Sequence, residues 1–217
     1  MPSTQPLRTM MVDTQVRPSD VTKFPIIAAM LDVPREAFVP AAAQPVAYMD
    51  APVPFADGRE MPDARVFAKI LDALDIDAAD QVLIVGGGLG YSTAVMARMA
   101  DSVVMVEDQA QRVADAEAAL AAQGVMNAAV IDAPLAEGAP KAGPFDVILI
   151  EGGVEDVPEA LTDQLGEGGR MAAIFAKGTL GEVRVGHRID GRLSWRYAFN
   201  AGAPVLPGFS RAKSFML

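Results

Sequence analysis

Cysteine is absent from the 217-residue sequence, and histidine occurs once, as His187. The absence of cysteine excludes disulfides, thiolate nucleophiles and cysteine-ligated zinc or iron–sulfur sites. One histidine cannot by itself build a multi-histidine metal site, and no G-x-S-x-G motif accompanies it to form a serine–histidine triad. We therefore expect no metal site, and much of the usual chemistry of hydrolases and metalloenzymes is missing.

Long hydrophobic runs and positive charge are also scarce. No uninterrupted apolar run reaches the roughly 18 to 20 residues that a membrane-spanning helix needs. Lysine and arginine number 18 against 28 aspartates and glutamates, which gives a formal net charge of −10. Such a field repels phosphate backbones and anionic lipids, so we expect neither nucleic acid nor a membrane as a partner. The N-terminus also lacks the basic-then-apolar pattern of a secretory signal, and we expect a cytoplasmic protein.

What the chain does have is apolar material, 51% of its residues, which is enough for one folded domain over residues 1–217. Within it we distinguish a proline-rich helical region, residues 1–80, from a core of alternating β and α segments, residues 81–217. A helix is predicted at Ala64–Leu74, where apolar residues recur every three to four positions. The predicted core strands are 82–85, 102–107, 128–132 and 145–151, then a fifth strand after Gly168-Gly169 and a hairpin around Asp190-Gly191. This alternation predicts an open, doubly wound α/β sheet, which binds ligands beyond the carboxyl ends of its strands.

A glycine loop follows the first of these strands, in the stretch VLIVGGGLGY. Its pattern is G-x-G-x-G, in which glycine lets the backbone bend sharply and approach a ligand closely. The glycines are Gly86, Gly87, Gly88 and Gly90. A dinucleotide fingerprint would need another glycine where Tyr91 stands, so NAD is disfavoured. The spacing resembles the first motif of S-adenosylmethionine (SAM)-dependent methyltransferases, and the alternative is a plain strand-to-helix turn.

An acidic residue, Glu107, ends the next strand, 21 residues after Gly86. A carboxylate there can accept hydrogen bonds from both hydroxyls of a ribose. The alternative is that Glu107 and Asp108 simply provide an acidic start to the following helix, which favours its dipole. Loop and acid together favour a nucleoside site.

The sequence resembles the protein-L-isoaspartate O-methyltransferase family over nearly its full length. The most specific segment is VPREAFVP, which matches the family's N-terminal region rather than methyltransferases in general. The other matching segments are MVDTQVRPSDV, AYMDAPVPFADG, VLIVGGGLGYSTAVMA, VVMVE, GPFDVILIEGG and PVLPGF.

This resemblance implies a Rossmann-like, doubly wound seven-stranded sheet with the last strand antiparallel and an N-terminal helical addition. It implies methyl transfer from SAM to the isoaspartyl carboxylate of damaged proteins, with a protein or peptide as partner. Carried over to this sequence, the acceptor site falls at Pro62 and Asp63. The cofactor positions fall at Met61, Gly86, Gly87, Gly88, Gly90, Tyr91, Glu107, Asp108, Asp132, Ala133 and Glu151.

Several of these positions depart from the family pattern. Pro62 stands where the family has a serine, and proline offers neither a hydroxyl nor a backbone N–H. Asp63 adds a negative charge beside the place for an anionic substrate. Ile84 replaces an acid before the glycine loop, and Asp132 lies two residues from the acid expected to bind adenine. Glu151 replaces a small residue, and it either faces the site or caps its strand in solvent.

Three hypotheses therefore remain: an active isoaspartyl methyltransferase, a SAM-dependent methyltransferase with a different acceptor, and a non-catalytic binding or regulatory module. In the second, Asp63 and Glu151 would bind a cationic group or act as a base. The sequence does not indicate the oligomeric state.

Overall fold

The computed structural model describes residues 4–55, 58–178 and 180–211. Its N-terminal region holds three helices and a small antiparallel pair of strands. These elements are α1 (Gln5–Met11), α2 (Phe24–Asp32), β1 (Val53–Pro54), β2 (Glu60–Met61) and α3 (Ala64–Leu74). The bounds of α3 are those predicted from its apolar periodicity, because Phe67, Ile70, Leu71 and Leu74 form one buried face. A π-helical turn, Val12–Val16, continues α1.

The described residues of the core form one seven-stranded sheet in the order β5-β4-β3-β6-β7-β8-β9. Its strands are β3 (Gln81–Val85), β4 (Ser102–Glu107), β5 (Ala128–Asp132), β6 (Phe145–Val154), β7 (Leu165–Lys177), β8 (Leu180–Ile189) and β9 (Arg192–Asn200). The first five are parallel, whereas β8 runs antiparallel to β7, and β9 runs antiparallel to β8. The predicted doubly wound, seven-stranded sheet is confirmed; its last strand, β9, is antiparallel to its neighbour β8, and β8 is the strand that runs against the first five.

Helices connect the parallel strands and cover both faces of the sheet. They are α4 (Tyr91–Met96), α5 (Ala110–Ala122) and α6 (Glu159–Thr162). Alternate residues of β3 point to opposite faces, so Val82 and Ile84 join one apolar cluster, and Leu83 and Val85 join the other. The N-terminal helices and α3 pack into the first cluster. The loops after β3, β4 and β6 all begin at the carboxyl edge of the sheet, where they assemble the site.

Candidate functional site

The glycine loop lies between β3 and α4. Gly86 and Gly88 have φ of +77° and +62°, left-handed conformations that a side chain disfavours. A Cβ on Gly86 would lie 2.8 Å from Arg59 Nη2 and 3.5 Å from the Glu151 carbonyl oxygen. Gly90, also left-handed, precedes the first turn of α4. The loop therefore presents bare backbone toward the ends of β4 and β6.

Glu107 is fully buried at the end of β4, and its carboxylate points at this loop. The Gly88 N–H donates to Oε1 at 2.7 Å, and Arg112 Nη1 donates to Oε2 at 3.0 Å. Arg59 donates two further hydrogen bonds to this carboxylate, from Nη2 to Oε1 at 2.9 Å and from Nη1 to Oε2 at 3.4 Å. The acid is thus tied to the loop and held between two guanidinium groups.

Arg59 and Phe55 cover the surface of the glycine loop. Arg59 Nη2 also donates to the Gly86 carbonyl at 2.6 Å, and its side chain is only 6% exposed. The Phe55 ring sits against Gly88 so closely that a Cβ there would collide with it. The backbone fixes this arrangement, since the Phe55 N–H donates to the Arg59 carbonyl at 2.7 Å.

Beside Glu107, the other predicted nucleoside residues line an open groove of about 490 Å³. Asp108, Asp132 and Ala133 belong to its walls. Asp132 is exposed and is the register partner of Glu107 across β4 and β5. The edge of the sheet therefore brings these three residues and Glu107 into one neighbourhood.

A second, smaller cavity of about 20 Å³ lies between α3, β2 and the end of β6. Three acidic side chains, Glu60, Asp63 and Glu151, line it together with Pro62 and apolar residues. A volume this small holds one or two water molecules, so a peptide side chain enters only if the walls move. The structure thus brings Pro62 and Asp63, predicted at the acceptor site, together with Glu151, predicted among the cofactor positions.

Glu151 faces this cavity and is 7% exposed. Burial raises the pKa of its carboxyl to about 7, whereas the neighbouring Ser92 hydroxyl and the Arg59 charge oppose that rise. Within the described chain, Glu151 Oε2 and Ser92 Oγ are buried without a hydrogen-bond partner. Of the two alternatives for Glu151, a cap in solvent does not describe its position, because the side chain is buried and lines this cavity.

Asp63 has a structural partner as well as a place in the cavity. Its Oδ1 accepts from the Val66 N–H at 2.8 Å and caps the N-terminus of α3. Glu60, half-buried beside it, has its pKa raised by burial and by the charge of Asp63. The wall of this cavity is therefore acidic.

The remaining predicted residues are packed more deeply. Met61 and Ile84 are buried in the first apolar cluster. Gly87 lies against the Met105 side chain. The Tyr91 ring packs between Phe38 and Phe67, with centroids 6.1 and 5.7 Å away. Ile84, Gly87 and Tyr91 lie in or next to the loop, and their packing holds it in place.

The sequence patterns did not predict three arginines that lie in or next to the site: Arg35, Arg59 and Arg112. Arg35 is fully buried, donates from Nη2 to the Pro62 carbonyl at 2.6 Å, and lies 4.9 Å from the centroid of the Tyr91 ring. The sequence feature that could have indicated Arg35 is its positive charge within the largely apolar segment VPREAFVP. Arg59 had a weaker signal, a cation directly before the departing residues Glu60 to Asp63.

No group of three or more histidine, cysteine, aspartate or glutamate side chains in the described ranges could hold a metal ion. No helix in that part of the chain is long and apolar enough to cross a membrane.

A family model supports the resemblance seen in the sequence. The model for protein-L-isoaspartate(D-aspartate) O-methyltransferase matches residues 9–193. A protein-L-isoaspartate O-methyltransferase of Koribacter versatilis is 38% identical over 186 residues, which cover 86% of this chain and 84% of the relative. One from Methylorubrum extorquens is 39% identical over 171 residues, covering 79% and 75%.

Solved structures agree with the fold. A protein-L-isoaspartate O-methyltransferase superimposes with a TM-score of 0.82 at 25% identity, covering 95% of this chain and 66% of that chain. A protein from Plasmodium falciparum, described as a complex with S-adenosyl-L-homocysteine, gives a TM-score of 0.78 at 18% identity and covers 95% and 99%. The second likeness concerns the fold alone.

Proposed function

The chain belongs to the protein-L-isoaspartate O-methyltransferase family, and we propose that it is a SAM-dependent methyltransferase that esterifies the isoaspartyl carboxylate of damaged proteins or peptides. The glycine loop and Glu107 form its nucleoside half, together with Asp108, Asp132 and Ala133. The cavity with Pro62, Asp63 and Glu151 forms its acceptor half.

One observation carries the proposal: Glu151 belongs to both halves at once. Its side chain faces the acceptor cavity, and its carbonyl oxygen lies 3.5 Å from where a Cβ of Gly86 would be. A methyl donor on the loop and an acceptor in the cavity would therefore meet at the end of β6. Bringing two reactants to one point supplies much of what a simple displacement needs.

The residues of the nucleoside half fit SAM in chemical type. Gly86 and Gly88 have no side chain to keep a cofactor away from the backbone, and a carboxylate such as that of Glu107 accepts from ribose hydroxyls wherever its oxygens are free of other donors. When bound, SAM supplies a methyl group on a sulfonium: a carboxylate oxygen forms the new O–C bond as the S–C bond breaks, and the electron pair stays on sulfur as a neutral thioether. No cysteine or histidine is needed, because a carboxylate is already a nucleophile at neutral pH.

Glu151 takes the place of the missing serine as the donor in the acceptor half. Because its pKa is near 7, the carboxyl holds a proton through the acidic range up to about neutrality. A protonated Oε atom donates to an acceptor carboxylate, whereas an ionised Glu151 would repel it. We expect methyl transfer to be fastest below pH 7 and to fall as Glu151 ionises.

Arg35 and Asp63 position this half. Arg35 holds the Pro62 carbonyl, and Asp63 fixes the start of α3 through its cap. Because Asp63 Oδ1 is engaged with backbone N–H, part of its negative charge is offset at the helix N-terminus. Asp63 therefore has a structural role, the N-terminal cap of α3, that does not depend on the methyl acceptor.

Transfer of a labelled methyl group from SAM to an isoaspartyl peptide tests the proposal, with the aspartyl peptide of the same sequence as the control. We expect methylation of the isoaspartyl peptide only. No transfer under conditions where another member of the family gives it would remove the repair function.

A non-catalytic binding module is the second candidate, and the filled nucleoside half favours it. Arg59 and Phe55 occupy the loop surface that a cofactor would use. Calorimetric titration with SAM and S-adenosylhomocysteine (SAH) separates the two candidates. Binding of neither ligand supports the module and excludes transfer.

We further propose that residues 1–217 act as one cytoplasmic domain. Packing of the N-terminal helices into the same apolar cluster as β3 supports the single domain. Limited proteolysis tests the domain, since a separate N-terminal unit would be released near residue 80, and cell fractionation tests the location.

A further inference from the structure

Glu107 has no free acceptor position for a ribose. An ionised carboxylate offers about four lone-pair positions on its two oxygens. Oε1 accepts from Gly88 N and Arg59 Nη2, and Oε2 accepts from Arg112 Nη1 and Arg59 Nη1. Two of these four positions belong to a single side chain, Arg59.

The Arg59 side chain also hydrogen-bonds the glycine loop itself. Its Nη2 lies 2.6 Å from the Gly86 carbonyl and fills the space that the absence of a Gly86 side chain leaves. The side chain is 6% exposed, so its bonds are made away from solvent. Hydrogen bonds between charged groups are the stronger class, and burial strengthens them further.

Glu107 does not need Arg59 to stay ordered. Without that side chain, the Gly88 N–H at 2.7 Å and the Arg112 guanidinium at 3.0 Å still hold one position on each oxygen. The two remaining positions, one on each oxygen, match two vicinal hydroxyls of a ribose.

We propose, on the basis of the cofactor assigned above, that Arg59 sets the cofactor affinity of this protein by competing with the ribose hydroxyls for Glu107. Cofactor binding then requires release of the Arg59 guanidinium from both Glu107 and the Gly86 carbonyl. A side chain that merely filled space would not donate hydrogen bonds to both the Glu107 carboxylate and the carbonyl of the glycine loop.

Calorimetric titration of the full chain with SAH tests this competition. We expect Arg59→Ala to bind SAH about tenfold or more tightly than the parent, because charge-assisted hydrogen bonds no longer oppose binding. Arg59→Lys should fall between them, since an ammonium keeps the charge and loses the planar fork. Arg184→Ala, which removes an equal charge paired with Glu182 on β8, should leave the affinity unchanged.

Thermal unfolding gives a second readout that does not depend on turnover. Saturating SAH should raise the Tm of Arg59→Ala by more than it raises that of the parent. If Arg59→Ala folds poorly, Arg59→Lys provides the same comparison with a charge retained beside Glu107.

Equal or weaker SAH binding by both Arg59 variants overturns the competition, and so does the absence of binding in every form. Methyl transfer is scored separately. Tighter SAH binding without transfer to the isoaspartyl peptide leaves the role of Arg59 in place and removes the repair function. Transfer with unchanged affinity across the variants removes the role of Arg59 and keeps the function.

Discussion

The nucleoside half of the site and its acceptor half are specified in different ways. In the nucleoside half, backbone conformation at Gly86 and Gly88 does most of the shaping, and the buried Glu107 is bound to two arginines. In the acceptor half, side chains line a small acidic cavity, and Glu151 keeps an oxygen without a partner. A backbone-defined site tolerates few changes, whereas a side-chain-defined site changes its chemistry residue by residue. The glycine loop itself keeps the family pattern, whereas Pro62 and Asp63 in the acceptor half depart from it.

The largest effect is expected from Glu107→Gln, which breaks the ion network of the nucleoside half. The amide cannot neutralise two buried guanidinium groups, and we expect the free energy of unfolding to fall by about 3–5 kcal/mol. Urea denaturation at pH 7 measures it. Glu182→Gln is the matched control, because Glu182 bonds Lys177 and Arg184 at the surface. Equal stability of the two variants would show that the buried network does not hold this half together.

The next effect concerns Glu151 and the pH dependence of stability. The unfolded carboxyl titrates near 4.5 and the folded one near 7, so the folded protein holds a proton that the unfolded chain has lost between these values. Stability should therefore fall as pH rises from 4.5 through 7, by up to about 3 kcal/mol. Glu151→Gln cannot ionise and should remove this loss, as measured by unfolding at pH 5.5 and 8.5.

The charged groups around Glu151 determine which variant is a suitable control for that measurement. Arg59 and Arg35 favour its ionised form, and Glu107 disfavours it. Glu60, on the same cavity, is half-buried, so Glu60→Gln should change the pH profile much less. A profile of Glu151→Gln that matches the parent would contradict a proton on Glu151 and, with it, its role as donor.

The smallest effect is expected from Pro62→Ser, which adds the hydroxyl that the family has in the acceptor half. The serine keeps the carbonyl that Arg35 binds, and its hydroxyl can donate to an acceptor carboxylate. We expect kcat/KM for an isoaspartyl peptide to rise about tenfold, as for a hydrogen bond to a charged group.

Pro52→Ser is the control for this substitution, because Pro52 lines the same cavity at another point. A similar rise in both variants would mean that added polarity, rather than the position of the hydroxyl, limits the acceptor half. If kcat/KM rises in neither variant, the acceptor half does not limit the rate. Restricted cofactor binding, as proposed for Arg59, would give that result.

Much of the fold was predictable because it depends on local patterns. Ser102–Glu107 and Ala128–Asp132 were predicted with the bounds that the structure has, since apolar runs between polar segments indicate strands. β6 extends to Val154, three residues beyond the predicted end, because Gly153 and Val154 pair with Ile174 and Phe175 of β7 after a shift in register. Local sequence patterns were sufficient to predict these elements.

The sequence by itself determined the layered fold and the glycine loop, and it identified Glu107 and Glu151 as acids at the carboxyl edge of the sheet. Only the tertiary structure decided which groups face them. Arg59 reaches Glu107 across 48 residues of sequence, and Arg35 reaches the Pro62 carbonyl across 27. The physical reason is that periodicity encodes which face of an element is apolar, whereas the partner of a buried charge depends on how distant segments pack around it.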